Sequence, residues 1–214
     1  MQKNKIIIGV FSVIGIILIL FLGYDVISKQ ASKAPEFDFT GIARPITYKE
    51  SPSRGADSAK LAIYEYADFT CLGCFSMQQT IKQLISKYDS QVQHVWKDFP
   101  FLSNSSKQAA IAARCAYDQG KFWEYHDWLF ANQADIALIN FSDGAIGLGL
   151  DNERFTRCLE DDKIANLVDR DFAEAQALGI DETPTLVIGD VALVGVQEFS
   201  NIENLIISEL QKAE

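Results

Sequence analysis

Two cysteines, Cys71 and Cys74, occur in the segment ADFTCLGCF, where a strand-like run changes into a helix-like one. Residues 61–67 read LAIYEYA, a short apolar run of aromatic and branched side chains that is typical of a buried strand. Beyond the cysteines, apolar side chains recur with the i, i+3, i+4, i+7 spacing of one helix face, at Ile81, Leu84, Ile85 and Tyr88. The cysteine pair is therefore expected in the first turn of a helix that follows a buried strand.

The next segment predicts a second strand. Residues 92–99 read VQHVWKDF, an apolar run that stops at Pro100. Two strands joined through a helix pair in parallel with a right-handed crossover. The first half of the folded chain is thus predicted to be β-α-β.

A long helical region follows. Residues 106–133 predict two helices that are broken at Gly120. Residues 151–179 predict two more, with Asp151 as an N-cap and Gly179 as the residue just beyond a helix C-terminus.

The chain then returns to strands. Residues 185–196 read TLVIGDVALVGV, two apolar runs around Gly189-Asp190, which predicts a hairpin. A last helix is expected to begin at Ser200, with Glu203 completing a capping box. Its buried face is expected to contain Ile202, Leu205, Ile206 and Leu210. The second half is thus predicted to be β-β-α.

The start of the chain predicts a membrane anchor. The stretch 6–24 is apolar and uncharged, and as a helix it nearly matches the roughly 30 Å hydrocarbon core of a bilayer. A cleaved signal peptide is the alternative, although its apolar region is usually shorter. We expect a cytoplasmic tail at 1–5, a transmembrane helix at 6–24 and a tether at 25–57, followed by a folded domain at 58–214. The tether is expected to contain a short strand around Ile46-Thr47-Tyr48.

The position of Cys71 at a helix N-terminus favours redox chemistry. Free backbone N–H groups and the helix dipole stabilise a thiolate there, which lowers the pKa of Cys71 and makes it the attacking sulfur. Cys74, one turn further on, is expected to point inward and resolve the mixed disulfide. The alternatives are a static disulfide and a zinc site. Zinc takes four ligands, so it would also need Cys115 and Cys158, because His94 and His126 have no metal-ligand spacing.

The whole pattern resembles the DsbA-like branch of the thioredoxin superfamily, over about residues 58–212. The run YEYADFTCLGC resembles the strand-to-motif segment of that family, and DETPTLVIGD resembles its Thr-Pro loop. The segments AARCAYDQGKFWEYHDWLF and FTRCL resemble the insertion of a membrane-anchored subgroup with a second cysteine pair. The resemblance implies an α/β (α+β) thioredoxin-like fold with a helical insertion at about 103–179, preceded by one transmembrane helix.

The resemblance also implies roles for residues around the cysteines. It implies a cis peptide at Pro184, which leaves the backbone of Thr183 free to pair with an extended substrate. It implies a buried carboxyl at Glu65 beneath the resolving cysteine, where it carries protons to and from the thiol. Lys97, on the neighbouring strand, is expected to pair with Glu65.

The two residues between the cysteines, Leu72 and Gly73, tune the redox potential and face the substrate in the family that the chain resembles. Strong oxidants of that family have a histidine there, whereas neither residue here has a side-chain donor. Thiolate stabilisation must then come from backbone N–H groups.

The second pair, Cys115 and Cys158, is expected to form a structural disulfide in an oxidising compartment. Two inert thiols and a second redox relay are the alternatives.

Together these observations predict a membrane-tethered thiol-disulfide oxidoreductase outside the cytoplasm that introduces disulfides and uses neither a metal nor an organic cofactor. The expected partners are reduced exported polypeptides and a membrane quinone-linked thiol oxidase. A reductase or isomerase is the closest alternative, and a tethered binding or chaperone module or a zinc-binding domain is the alternative of another class. The net charge of −10 argues against a nucleic-acid partner, and no dimerisation segment is visible, so a monomer is expected.

Overall fold

The computed structural model describes the backbone of residues 36–38 and the whole of residues 44–212. The predicted tail and anchor, residues 1–24, lie outside this part of the chain. Within the described residues, no helix is long and apolar enough to cross a membrane.

The described residues contain six strands that form one mixed sheet in the order β1-β6-β5-β3-β4-β2. The strands are β1 (Glu36–Asp38), β2 (Ser53–Gly55), β3 (Leu61–Ala67), β4 (Val92–Asp98), β5 (Thr185–Ile188) and β6 (Val191–Val194). Strands β3 and β4 pair in parallel, and the other neighbours pair in antiparallel fashion. The predicted parallel pair and the predicted hairpin around Gly189 are both confirmed.

The helices of the described residues are α1 (Leu72–Lys87), α2 (Ser106–Tyr117), α3 (Phe122–Ala131), α4 (Phe141–Gly147), α5 (Asn152–Leu159), α6 (Asp162–Ala177) and α7 (Phe199–Lys212), with a 3₁₀ turn at Gln133–Asp135. The predicted break at Gly120 and the predicted ends at Asp151 and Gly179 are confirmed. Asp151 accepts a hydrogen bond from the N–H of Arg154, and Gly120 and Gly179 both have positive φ.

Helices cover both faces of the sheet. On one face, α1 and α7 bury apolar side chains such as Leu84 and Ile206 against Ile63 of β3. On the other face, α6 packs Ala175 against Val187 of β5. Helices α2 to α5 form a further core with the residues around the cysteine pair. The predicted order of β-α-β, helical insertion and β-β-α is therefore confirmed.

Three sequence expectations need correction. Ile46-Thr47-Tyr48 has no regular structure, whereas β1 and β2 lie inside the predicted tether, so the folded domain includes residues before 58. The prediction missed α4, a short helix whose two glycines weaken the helical signal. The last helix begins at Phe199, and Glu203 accepts hydrogen bonds from Lys87 and Tyr88 of α1 instead of completing a capping box.

Candidate active site

Cys71 is the N-cap residue of α1. Its Sγ lies 3.3 Å from the backbone N of Cys74, which donates to it, and 3.4 Å from the carbonyl oxygen of Thr183. A hydrogen bond from the Cys74 side chain lowers the pKa of Cys71 to about 6, against the opposing effect of burial, with further hydrogen bonds from the backbone N–H groups of Cys74 and Gly73. At neutral pH this sulfur is therefore largely a thiolate, as its place at a helix N-terminus led us to expect.

Cys74 has the opposite environment. Its side chain is fully buried one turn into the helix. Burial raises the pKa of Cys74 well above 9.0, and the neighbouring Cys71 and the charge of Glu65 raise it further. The structure thus holds one acidic sulfur, in a residue that is 7% exposed, beside one that keeps its proton.

The segment before α1 is held by two polar side chains that the sequence analysis did not single out. Asp68 accepts hydrogen bonds from the backbone of Thr70, Phe101 and Leu102. Gln133, in the helical insertion, donates to the carbonyl oxygens of Phe69 and Cys71 at 2.8 and 2.9 Å. The insertion therefore fixes the backbone that positions the attacking sulfur.

The Thr183–Pro184 peptide bond is cis, and the Pro184 carbonyl accepts a hydrogen bond from the N–H of Gly195. This loop lies against the cysteine pair, because a Cβ placed on Gly73 would lie 3.0 Å from Pro184 Cδ and 3.2 Å from Val196 Cγ2. Leu72 and Val196 are 76% and 57% exposed around it. An extended peptide that reaches Cys71 would therefore contact an apolar rim.

Glu65 is fully buried on β3, and its partners differ from the expected one. Its Oε2 lies 2.8 Å from Nε2 of His94, and its Oε1 accepts from Gln78 at 3.1 Å. Burial raises the pKa of Glu65 to about 7. A carboxyl with this pKa gives and takes protons readily at neutral pH.

The expected pairing of Lys97 with Glu65 is wrong. In the register of β3 and β4, Lys97 lies opposite Tyr66 and Glu65 lies opposite Trp96. Because side chains alternate between the faces of a sheet, Lys97 points away from Glu65. It forms ion pairs with Glu174 at 2.8 Å and with Asp171 at 3.7 Å, both on α6.

Cys115 and Cys158 are joined by a disulfide between α2 and α5. Their sulfurs are thus bonded to each other and do not complete a four-cysteine ligand set with Cys71 and Cys74. Within the described residues, no group of three or more His, Cys, Asp or Glu side chains is arranged to hold a metal ion.

A family model described as Thioredoxin matches residues 47–207. The chain belongs to this thioredoxin family. A thioredoxin-like oxidoreductase from Silicibacter pomeroyi is 27% identical, with a TM-score of 0.68 over 78% of this chain and 95% of that one. The thiol-disulfide exchange protein alpha-DsbA2 of Wolbachia pipientis is 25% identical, with a TM-score of 0.66 over 75% of this chain and 87% of that one. The domain thus has the fold of DsbA-type thiol-disulfide oxidoreductases.

Curated relatives of this thioredoxin-family chain are much longer than the part that it matches. The Na(+)/H(+) antiporter NhaA 3 of Salinispora tropica is 32% identical over 146 residues, which are 67% of this chain and 22% of the antiporter. The chain spans about a fifth of the length of such relatives.

Proposed function

We propose that this protein is a thiol-disulfide oxidoreductase that introduces disulfides into exported polypeptides through the Cys71–Cys74 couple. The observation that carries the proposal is the position of Cys71 as the N-cap of α1, where its Sγ accepts from the N–H of Cys74 at 3.3 Å and where hydrogen bonds lower its pKa to about 6. A stabilised thiolate favours the reduced form of the couple, so the disulfide form gives up its oxidising equivalents readily. This stabilisation needs no donor side chain from Leu72 or Gly73.

In the first step, a substrate thiolate attacks Sγ of Cys71 in the enzyme disulfide. The bond between Cys71 and Cys74 breaks, a mixed disulfide forms, and Cys74 leaves as a thiolate. Burial disfavours that charge, and Glu65, when protonated, is the group suited to supply the proton. Cys74 becomes a neutral thiol, and Glu65 becomes a carboxylate.

In the second step, another substrate thiolate attacks the substrate sulfur of the mixed disulfide. Cys71 leaves as a thiolate, and its low pKa makes it a good leaving group. Two substrate thiolates have become one disulfide, and two electrons remain on the reduced Cys71–Cys74 pair.

We further propose that the substrate is an extended segment of a reduced polypeptide. The carbonyl oxygen of Thr183 lies 3.4 Å from Sγ of Cys71, which supports pairing of the Thr183 backbone with such a segment as an added strand. Leu72, Gly73 and Val196 form the adjoining surface. The proposed substrate site does not require recognition of nucleic-acid bases or phosphate groups.

The proposal places the domain outside the cytoplasm, with residues 6–24 as the membrane anchor and a quinone-linked membrane thiol oxidase as the partner that reoxidises the pair. The disulfide between Cys115 and Cys158 supports an oxidising compartment, because such bonds rarely persist in the cytosol. The apolar, uncharged stretch 6–24 supports the anchor. The domain is expected to act as a monomer.

The redox potential of the Cys71–Cys74 couple tests the direction of the reaction. Equilibration of the full chain with glutathione buffers is expected to give a value closer to the roughly −120 mV of a strong oxidant than to the roughly −270 mV of thioredoxin. Cys71→Ala is expected to abolish oxidation of a reduced peptide. A potential near the thioredoxin value would instead make the protein a reductase, and an active Cys71→Ala variant would remove the cysteine pair from the chemistry.

A further inference from the structure

A buried chain of polar groups runs from β2 across the sheet to the cysteine pair. Nε of Arg54 donates to Nδ1 of His94 at 3.0 Å, and Nε2 of His94 lies 2.8 Å from Oε2 of Glu65. His94 and Glu65 are both completely buried. Arg54 belongs to β2, the short strand that precedes the β-α-β unit. Through His94, β2 is therefore connected to the carboxyl of Glu65.

The contact with Arg54 decides which nitrogen of His94 bears hydrogen. A guanidinium has only donors and does not lose its proton, so Nδ1 must accept. Burial and the charge of Arg54 hold the pKa of His94 well below 6.5, so the imidazole is neutral. A neutral imidazole has one N–H, which must then be on Nε2 and must donate to Glu65.

The locked tautomer determines which oxygen of Glu65 can carry a proton. His94 cannot accept an O–H from Oε2 while Arg54 occupies its Nδ1, whereas the amide of Gln78 beside Oε1 also has an acceptor, so the exchangeable proton belongs on Oε1. That oxygen faces Gln78 of α1, the helix that also carries Cys74. Nε2 of Gln78 also donates to the carbonyl oxygen of Cys74, at 3.1 Å.

We propose that Arg54 and His94 are positioning residues that keep the exchangeable proton of Glu65 on Oε1, on the side of the resolving cysteine, and close the opposite side to proton exchange. Gln78 complements this arrangement, because its buried Oε1 has no hydrogen-bond partner among the described residues. When Glu65 is protonated, a turn of the amide places this acceptor against the new O–H.

The surroundings of Arg54 explain why it is useful to block proton exchange between Glu65 and solvent on this side. A surface cavity of about 360 Å³ is lined by Arg54, Lys82 and Asp89. The cavity is open to solvent next to the buried chain, but a proton cannot pass through a guanidinium that stays protonated. The guanidinium also lies over the ring of Trp123, at 4.1 Å from its centroid, which fixes its position.

The remaining titratable groups near Glu65 lie on α1 and α3. Cys74 on α1 carries the thiol that exchanges the proton. His126 on α3 is buried, burial lowers its pKa to about 4, and its Nδ1 is paired with Asp127 at 2.9 Å. His126 is thus neutral at working pH, and Arg54 is the permanent cation of the group. The positive charge of Arg54 lowers the pKa of Glu65, opposing the larger effect of burial.

The first test measures the tautomer of His94 in the reduced, full-length protein by ¹⁵N NMR of histidine. The expected spectrum shows a protonated Nε2 and an unprotonated Nδ1 for His94 throughout the neutral pH range. In Arg54→Met the lock is removed, and a mixture of tautomers is expected where Glu65 is protonated, because only then can its carboxyl donate to Nε2 of His94. Arg54→Lys keeps a donor and a charge and is expected to restore the single tautomer. A protonated Nδ1 in the unchanged protein would overturn the proposal without any variant.

The second test isolates the proton step, and it rests on the proposed role of the couple in thiol-disulfide exchange. A mixed disulfide between Cys71 and glutathione is prepared, and release of glutathione by Cys74 is followed against pH. In that step the Cys74 thiol gives its proton to the Glu65 carboxylate, its sulfur attacks Cys71, and glutathione leaves as a thiolate. The rate needs the carboxylate form, so it is expected to rise with pH through about 7.

Arg54→Met removes a charge that lowers the pKa of Glu65, so the midpoint of this profile is expected to move to higher pH. The rate of glutathione release at neutral pH is expected to fall roughly tenfold. This is less than the roughly 10²- to 10⁴-fold rate enhancement that general acid-base catalysis supplies. Arg157→Met, at an exposed arginine on α5, is the matched control and is expected to leave the profile unchanged. An unchanged midpoint in Arg54→Met would overturn the proposed role of Arg54 and His94. It would leave the proposed function untouched, because the redox potential of the couple decides the direction of the overall reaction.

Discussion

At the scale of single residues, Cys71 and Cys74 differ in acid strength because burial raises the pKa of Cys74, and because a hydrogen bond between the two side chains lowers the pKa of Cys71 and raises that of Cys74. Cys71 receives hydrogen bonds at the open end of α1, and Cys74 supplies the strongest of them from the buried side. A proton shared in this way stabilises the Cys71 thiolate and keeps Cys74 neutral. The reactivity of Cys71 therefore depends on the side chain at position 74.

Replacement of Cys74 by Ala is expected to raise the pKa of Cys71 by about one to two pH units, since a hydrogen bond to a charged group contributes about 1.5–3 kcal/mol. The pH dependence of Cys71 alkylation in the reduced protein measures this shift. The unchanged protein is expected to have its midpoint near pH 6. Cys74→Ser, which retains a hydroxyl donor, is expected to shift it less. Identical midpoints in all three proteins would show that the helix end alone sets the pKa.

Cys71 and Cys74 could be selected from their type and spacing, whereas Glu65 and Pro184 could be selected only from the resemblance to the DsbA-like family, and the roles of all four stay predictions. The sequence was not sufficient to select the partner of Glu65. A shift of one residue in strand register reverses which side chains share a face, and Lys97 and its neighbour Trp96 differ by that one position. His94 became the partner only through the pairing of β3 with β4. Arg54 reached it through the short strand β2, in a segment that reads as a polar tether.

At the scale of secondary-structure elements, the site is the meeting point of the N-terminus of α1, the cis Thr183–Pro184 loop and the end of β6. Gly73 lies between them, with room for a hydrogen but little for a methyl group. The hairpin and the helix were both predictable from local patterns. Their approach to within contact distance followed only from the family resemblance and not from local patterns, because it depends on packing across the sheet.

Gly73→Ala is expected to crowd Pro184 Cδ at 3.0 Å and Val196 Cγ2 at 3.2 Å, so the loop must move by a few tenths of an ångström. Oxidation of a reduced peptide is expected to slow by up to roughly tenfold, since small misplacements at a reacting centre are costly. Alkylation of Cys71 by a small reagent, which does not use the loop, is expected to change less than about twofold.

Gly147→Ala is the matched control for this substitution, because an added Cβ there meets nothing within 4 Å and the residue is also helical. It is expected to leave both rates unchanged. Equal slowing of peptide oxidation and alkylation in Gly73→Ala would mean that the methyl group disturbs Cys71 itself and not the substrate loop.

At the scale of the whole domain, a buried ion-pair cluster joins the helical insertion to the sheet, and a disulfide joins two helices of the insertion. Arg114 of α2 is buried and pairs with Asp98 of β4 at 2.5 Å and with Asp171 of α6. The disulfide between Cys115 and Cys158 joins the next residue of α2 to α5. Because Gln133 of the insertion holds the backbone of Cys71, the stability of the insertion bears on the geometry of the site.

The disulfide is expected to stabilise the domain mainly by restricting the unfolded chain. It spans a sequence separation of 43 residues, for which loop-closure entropy predicts about 4 kcal/mol. The double variant Cys115→Ala/Cys158→Ala is therefore expected to lose about 2–4 kcal/mol in urea unfolding under non-reducing conditions. A reductant should lower the free energy of unfolding of the unchanged protein towards that of the variant. The variant has no disulfide between positions 115 and 158, so it should not show this decrease.

The same double variant separates a structural disulfide from a second redox relay. If the bond is structural, the folded variant should oxidise a reduced peptide in a single turnover at an unchanged rate and should keep the pH midpoint of Cys71 alkylation near 6. If the pair passed electrons to or from Cys71 and Cys74, repeated turnover with an external oxidant would slow while the first turnover stayed normal. Slow repeated turnover with a normal first turnover would show that Cys115 and Cys158 take part in electron transfer. A loss of stability alone would slow the first turnover as well.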